Sequence, residues 1–509
     1  MDQLCRKTLL ENQHLTERAE VDLTNDLPER ILQFGEGNFL RGFVDWMVNE
    51  MNKQGIFNGR VVAIQPTPHG KVVPKLNAQD GLYTLVQQGI KDGKTVNKSE
   101  VITSISRGIN PYENWDEVLK VAESPSIQFV FSNTTEAGLT YLAEEFIPDA
   151  SPLSFPGKLT AVLYHRYRVF NGSEDSGLTI IPCELVEENA NVLREIVLKI
   201  ANDWELPQEF IQWVEQNNRF CNTLVDRIVP GYPKENIDTF TEMLGYEDQL
   251  IAVCEPYHLF VIDGDKTISE SIPFHQAGLQ VKWGDVTPYR QLKVSLLNAP
   301  HTMMYSLGYL SGLNTVYEVM ENSELFSFIE NAIKDEIKTV LSFETKVLDE
   351  FANSVLDRFK NPFVKHYLVD LGQNAVSKYK ARVLPLFFEY LDKQNKIPVH
   401  MVFSLSGLIA YYRPIRVDGD EHMVGNRDLQ EYQIRDSKDA VKTFAEAWNQ
   451  YDGTSESLNK VVSIILSDEK LWGRSLVEIS LLKEMVVNHL EDMVTLGVQK
   501  SLEKFYLKN

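Results

Sequence analysis

Ile31-Leu32-Gln33-Phe34-Gly35-Glu36-Gly37-Asn38-Phe39-Leu40-Arg41-Gly42 opens as an apolar run, passes two glycines and continues with large apolar residues at helical spacing. Residues 30–34 fit a short buried strand and residues 35–38 a turn, while Phe39, Phe43, Trp46 and Met47 mark one face of a helix. Residues 60–65 (R-V-V-A-I-Q) supply a second apolar strand, so the stretch reads strand, glycine turn, helix, strand. Such a unit suits a dinucleotide pyrophosphate, because glycines admit the phosphates to the backbone and the helix start offers free N–H groups. All the quoted residues, from Ile31 to Gly42, are therefore candidates for cofactor binding. Gly35 and Gly37 match the first two positions of G-x-G-x-x-G, Leu40 occupies the third, and Gly42 follows two residues later. A plain strand-to-helix turn fits the same pattern. Glu36 brings a negative charge toward the phosphates unless it points away. Gln65, Pro66 and Thr67 stand where a ribose-binding carboxylate would follow the second strand, which leaves NAD and NADP both open.

Outward from this unit, strands are expected at 83–88, 101–106, 127–132, 178–183 and 220–225, and helices at 115–122, 158–170, 191–201 and 208–216. The alternation indicates an α/β domain with a mainly parallel sheet. Residues 127–132 run into S-N-T-T-E-A-G, and the carboxyl edge of such a sheet faces the cofactor, so Thr134, Thr135 and Glu136 are candidates for its nicotinamide side. Beyond about Trp283 helical periodicity takes over, in segments such as 326–341, 381–391 and 476–496. The expected organisation is an N-terminal polar extension over 1–29, laid on the surface or partly mobile, a cofactor-binding domain over 30–283 and a mainly α-helical domain over 284–509. The chain has 509 residues, 43% of them hydrophobic and 24% charged, with a formal net charge of -22. That charge argues against non-specific binding to nucleic acid or anionic membrane. Cys5, Cys183, Cys221 and Cys254 lack metal-like spacing and read as reduced thiols. No signal-like N-terminus and no long apolar run is present, and the expected location is the cytoplasm.

Residues 293–301 read K-V-S-L-L-N-A-P-H, with Lys293, Asn298 and His301 set among Leu296, Leu297, Met303 and Met304. On an α-helix, at about 100° per residue, these three polar residues face one half of the cylinder. A lysine, an amide and an imidazole around one oxygen suit carbonyl–alcohol interconversion: the lysine moves the hydroxyl proton and the others stabilise the oxygen as it gains charge. No metal is required. The same spacing suits a surface lysine, a capping asparagine and a buried histidine. Pro300 predicts a bend or a helix start.

Lys-x4-Asn-x2-His resembles the signature of the polyol-specific long-chain dehydrogenases, the mannitol dehydrogenase family. F-G-E-G-N-F-L-R, T-T-E, P-C-E-L-V-E-E-N and V-D-R-I-V-P accompany it in order, so the resemblance spans nearly the whole chain. It implies a Rossmann-type domain followed by a helical one, NAD as cofactor, and hydride transfer at a sugar CH–OH group. Lys293 would be the general acid/base, Asn298 and Asn189 would hold the substrate oxygen, His301 would bind the same or a neighbouring oxygen, and Asp226 would line the site. Ala190 replaces the glycine that follows the second asparagine in the family. F-G-E-G-N-F-L-R-G-F-V-D-W, S-F-P-G-K-L-T and S-K-Y-K-A-R point within the family to members acting on sugar acids, with neutral polyols and a non-catalytic sugar-acid binder as alternatives. A substrate carboxylate calls for a cation; among Lys378, Lys380 and Arg382 the choice falls on Lys378 and Arg382. Tyr289 and Lys293 also form the Tyr-x-x-x-Lys pair of short-chain dehydrogenases, but that reading leaves Asn298 and His301 idle and the chain is far longer than that fold needs.

Overall fold

The structure, a computed structural model, describes residues 1–23 and 27–508. The chain divides into two compact units, one of residues 1–89 with 94–289 and the other of residues 90–93 with 290–509.

In the first unit the strands are β1 (Glu29–Phe34), β2 (Arg60–Ile64), β3 (Tyr83–Lys91), β4 (Lys94–Ile102), β5 (Ile105–Ile109), β6 (Phe129–Ser132), β7 (Thr179–Pro182), β8 (Arg219–Phe220), β9 (Thr223–Asp226), β10 (Ala252–Cys254), β11 (Leu259–Ile262) and β12 (Val281–Trp283). Six of them form a parallel sheet in the order β5-β2-β1-β6-β7-β8. The connections reverse direction between β1 and β6, and in a doubly wound sheet a ligand crevice opens there, beyond the carboxyl ends of the strands. Side chains alternate across the sheet. Ile31, Val61, Ala63, Phe129, Phe131 and Ile181 enter one core, while Leu32, Phe34, Val62, Ile64, Val130 and Ile180 enter the other. Burial on both faces explains why these strands read as unbroken apolar runs.

Two expected strands are corrected. Residues 101–106 contain the end of β4 and the start of β5, which belong to different sheets. The break is made by Thr103, whose N–H donates to Asn49 Oδ1 (3.0 Å), and by Ser104, whose hydroxyl donates to the Asp45 carbonyl (2.7 Å). Residues 220–225 likewise divide into β8, at the edge of the parallel sheet, and β9, antiparallel to β11. The N-terminal stretch is packed rather than loose: Leu4, Leu9, Leu15 and Ala19 are buried with Tyr246 and Ile251, and a short helix spans Arg6–Glu11. Residues 24–26 of the expected extension lie outside the described residues.

The second unit is mostly helical, with a three-stranded antiparallel sheet, β13 (Arg416–Val417), β14 (His422–Arg427) and β15 (Gln430–Arg435), that the helical periodicity does not reveal. Its central helix, Ala299–Leu310, is buried along almost its whole length. Among the described residues no helix is long and apolar enough to cross a membrane.

The fold depends on the turn after β1. Gly35 has φ +122°, and a side chain there would start 3.0 Å from the Asn133 carbonyl oxygen and 3.0 Å from Leu40 Cδ1. Gly35→Ala is expected to lower stability by about 1–3 kcal/mol, measured by urea denaturation; an unchanged midpoint would show that the turn relaxes freely.

Candidate active site

The glycine turn is braced from below. Arg41, buried, donates through Nε to the Glu36 carbonyl (3.1 Å) and through Nη2 to Asn38 Oδ1 (2.6 Å), and its Nη1 reaches the Leu250 carbonyl. Helical residues run from Asn38–Leu40 through a π turn, Arg41–Asp45, into Trp46–Lys53. The close approach expected of a third glycine is made by Gly42, where a Cβ would stand 2.9 Å from Val229 Cγ1. Leu40, at the fingerprint's third position, is buried instead. Gly37 is exposed, with open space where a side chain would be, so the backbone can meet a ligand there. Glu36 is buried, which pushes its carboxyl up to about 7 against the opposing pull of Arg41. The negative charge expected beside the phosphates is thus largely removed below that pH, and the turn fits a dinucleotide pyrophosphate.

The side chains of the other quoted residues are engaged in the fold, although Gln33 Oε1 is buried with no hydrogen-bond partner among the described residues. Ile31, Leu32 and Phe34 have side chains in the cores and a backbone in the ladders with β2 and β6, and so support the turn from the strand. Gln33 donates to the Gly35 carbonyl (3.0 Å) and to Asp45 Oδ2 (3.2 Å). Phe39 stacks on Phe43.

The T-T-E loop leaves β6 beside this turn. Glu184, buried, accepts from Ser132 Oγ (3.0 Å), Thr134 N–H (2.8 Å) and Thr134 Oγ1 (3.0 Å). These bonds hold the loop where Thr135 adopts φ 72°, ψ 167°, a region of backbone space essentially reserved for glycine. Thr135 and Glu136 are exposed. Strain of this kind persists only when the surroundings fix it.

Asn189 does not have a free amide. Its Nδ2 donates to the Pro182 carbonyl (3.1 Å), the Glu184 carbonyl (3.1 Å) and Thr223 Oγ1 (2.9 Å), and its Oδ1 accepts from the N–H groups of Ala190 and Thr223. Both donors are bonded where β7 ends and β9 begins. Asp226 closes β9 opposite Leu259 and is buried.

In the second unit Lys293–Asn298 is a π turn, not the α-helix assumed from spacing. The Ala299 N–H reaches back five residues to the Val294 carbonyl, and Pro300 sits in the first turn of the helix that follows. Of the expected bend or helix start at Pro300 the structure has the helix start, where proline's missing N–H leaves no intrahelical bond unmade. Lys293 and Asn298 are half-buried. His301 is buried, and its Nε2 has no hydrogen-bond partner among the described residues. Its ring lies 4.3 Å from Phe359 and 4.7 Å from His366.

Burial, then the charges of His366, Arg358, Arg382 and Lys378, hold His301 well below the ordinary histidine range, so it is neutral at neutral pH. Lys378 donates to the Leu371 carbonyl (3.1 Å) and Arg382 to Thr302 Oγ1 (3.4 Å); neither has an ion-pair partner among the described residues. Burial and then Arg382 lower Lys378, while Asp436 and Asp370 oppose the shift. Lys380, on the same helix, is exposed. The start of that helix, Ala375–Arg382, is fixed by Asp436, which accepts from the Val376 N–H (3.1 Å) and from Tyr412 OH (2.5 Å). Arg358 and His366 were not singled out from the sequence. N-P-F-V-K-H reads as a loop, and only the fold brings it to His301.

A model of the mannitol dehydrogenase Rossmann domain matches residues 29–276, and one of the mannitol dehydrogenase C-terminal domain matches residues 285–494. The chain belongs to the mannitol dehydrogenase family. The altronate oxidoreductase of Halalkalibacterium halodurans is 50% identical over 94% of this chain and 93% of its own length. Among solved structures, a substrate-free D-sorbitol dehydrogenase superposes with a TM-score of 0.77 at 22% identity, covering 98% of this chain and 100% of that one. The Pseudomonas fluorescens mannitol 2-dehydrogenase, solved with NAD and D-mannitol, superposes with a TM-score of 0.65 at 20% identity over the full length of both chains. These two likenesses bear on the fold, which agrees with the expected parallel-sheet and helical domains of this family.

Two tests follow from the first unit of this family member. Above pH 7 ionised Glu36 repels the phosphates, so NADH is expected to bind several-fold more weakly at pH 8 than at pH 6 by fluorescence titration, and Glu36→Gln to flatten the difference; an unaltered profile would clear Glu36. Thr135→Gly is expected to raise the urea midpoint, by about 1–3 kcal/mol of relieved strain, while weakening NADH binding.

Proposed function

We propose that this chain is an NAD-dependent oxidoreductase that interconverts D-tagaturonate and D-altronate in hexuronate catabolism, acts in the cytoplasm and uses no metal. The likeness to a curated altronate oxidoreductase along nearly the whole chain supports the substrate, and the NAD-bound mannitol 2-dehydrogenase supports the cofactor. The observation that carries the reading is the set Lys293, Asn298 and neutral His301, on one π turn and the helix it feeds, with Lys378 and Arg382, which have no ion-pair partner among the described residues, acting electrostatically on His301.

When bound, the nicotinamide would supply or accept a hydride at the carbonyl carbon of the sugar acid. In reduction Lys293 gives an ammonium proton to the carbonyl oxygen, and in oxidation the neutral amine takes it back. Asn298 donates a hydrogen bond to that oxygen while it carries negative charge, and His301 donates to the same or an adjacent oxygen. Lys378 and Arg382 hold the carboxylate, the arginine through two parallel N–H donors and the lysine as a point charge. Arg358 adds positive potential to that wall, while burial lowers His366 and leaves it neutral beside His301. In the first unit Asn189 holds Thr223 and the first turn of Asn189–Asp203.

NADH oxidation with tagaturonate, fructuronate and fructose in parallel tests the reading. Tagaturonate is expected to turn over fastest, and faster turnover of fructose would remove the carboxylate seat. Lys293→Ala is expected to lower kcat on the order of 10²–10⁴-fold, while Tyr289→Phe leaves it within about twofold; the reverse result would move the acid to the tyrosine. Arg382→Ala is expected to raise KM for tagaturonate about 10- to 100-fold, as for a lost charge-assisted bond, without changing KM for a neutral ketose.

A further inference from the structure

Beyond the carboxyl ends of β2 and β5 lies a cavity of about 510 Å³ whose wall includes Gln65, Gly70, Asn77, Arg107, Glu113 and Glu117. This volume is within the range of small-molecule sites, roughly 300–1,000 Å³. Gln65 follows β2 directly, and its backbone N–H continues the ladder to the Ile109 carbonyl (3.0 Å). Its carboxamide is pinned: Nε2 donates to the Thr67 carbonyl (2.8 Å), and Gly70 folds over it so closely that a side chain there would start 2.5 Å from Gln65 Cδ. The orientation is therefore set by the loop. Oε1 is left at the cavity wall, buried, with no hydrogen-bond partner among the described residues. A buried acceptor without a donor costs about 1–3 kcal/mol, so it marks a place where a donor is to arrive.

The charge of the wall is one-sided. Arg107 is the single cationic lining residue, and it is occupied by Glu29 (2.9 Å) and Glu117 (3.4 Å). Glu113 adds a second carboxylate to the lining, while His69 and Lys71, exposed in the adjacent loop, are not part of it. We propose that Gln65 Oε1 accepts a hydrogen bond from the adenosine 2′-hydroxyl of the dinucleotide, and that the amide with the Glu113–Glu117 rim, rather than a carboxylate at the end of β2, selects NAD over NADP. A 2′-hydroxyl has a proton to give to the amide oxygen. A 2′-phosphate dianion has none, and it meets the carboxylates of Glu113 and Glu117, beside which the cations Arg107 and Lys120 are already paired.

The inference rests on the dinucleotide reading above, and its test needs no substrate. NADH and NADPH are titrated into the full-length protein by nucleotide fluorescence, with thermal melting to confirm that each variant is folded. Gln65→Ala is expected to weaken NADH binding about five- to tenfold, the worth of one hydrogen bond, and to leave NADPH unchanged. Gln65→Glu, which keeps an acceptor, is expected to retain NADH and weaken NADPH further. Glu113→Gln with Glu117→Gln is expected to tighten NADPH several-fold and leave NADH within twofold. A folded Gln65→Ala protein with unaltered NADH affinity would overturn the assignment of the amide, even if tagaturonate is still reduced. NADH binding that responds to Gln65 in a protein that does not turn over tagaturonate would instead overturn the substrate and leave this inference standing.

Discussion

The carbonyl oxygen of Asn133 sits 3.0 Å from where a side chain at position 35 would begin, and much of the first unit is arranged around that closeness. It lets β1 and β6 stay paired to their last residues while the chain after β1 turns sharply and enters a helix. Because the sheet is buried on both faces, the turn and the loops at the carboxyl ends of the strands are where backbone groups can face a ligand. The buried polar groups nearby hold those loops: Arg41 the turn, Glu184 the T-T-E loop, and Asn189 the ends of β7 and β9. Each is satisfied by carbonyls, amides or hydroxyls, which keeps the desolvation cost of so many polar side chains bounded.

The second unit solves a different problem. The acidic chain gathers Arg358, Lys378, Arg382 and the His366 imidazole around His301, and burial there makes every added proton expensive. Histidine is the group that gives up its charge, since arginine keeps its proton under all ordinary conditions. A neutral imidazole bordered by cations favours a negative oxygen without competing for its proton. Asp436 stands behind the helix that carries Lys378 and Arg382 and orders its first turn, so the geometry of that wall is set from the β-hairpin side.

How much of this was legible in the sequence follows from the range of the interactions. The strands at 30–34, 60–65 and 127–132 are visible because burial on both faces makes them mostly apolar, with Gln33 the one polar residue buried in the middle of a run. The strand breaks at Thr103 and Ser104 are invisible because their partners, Asn49 and Asp45, belong to the preceding helical run. Lys293, Asn298 and His301 were legible as polar residues in an apolar segment, but the π turn that carries them was not, since helix class depends on which carbonyl an N–H finds. Asn189 was chosen from a motif whose side-chain bonding only the fold decides. Arg358 and His366 lie more than fifty residues from His301 and have no local pattern to announce them.

The π turn at Lys293–Asn298 amounts to one residue more than an α-helix would need to cover the same rise. Excising a single position from it would leave a regular and more ordinary helix, with the lost bond restored one carbonyl earlier. Because the wide turn fits its extra residue into about the same sweep, the segments on either side would keep their mutual phase, and only the residues inside the turn would change face. The cost of mending the helix would therefore fall on Lys293 and Asn298, which bound the turn, rather than on the helix that carries the imidazole.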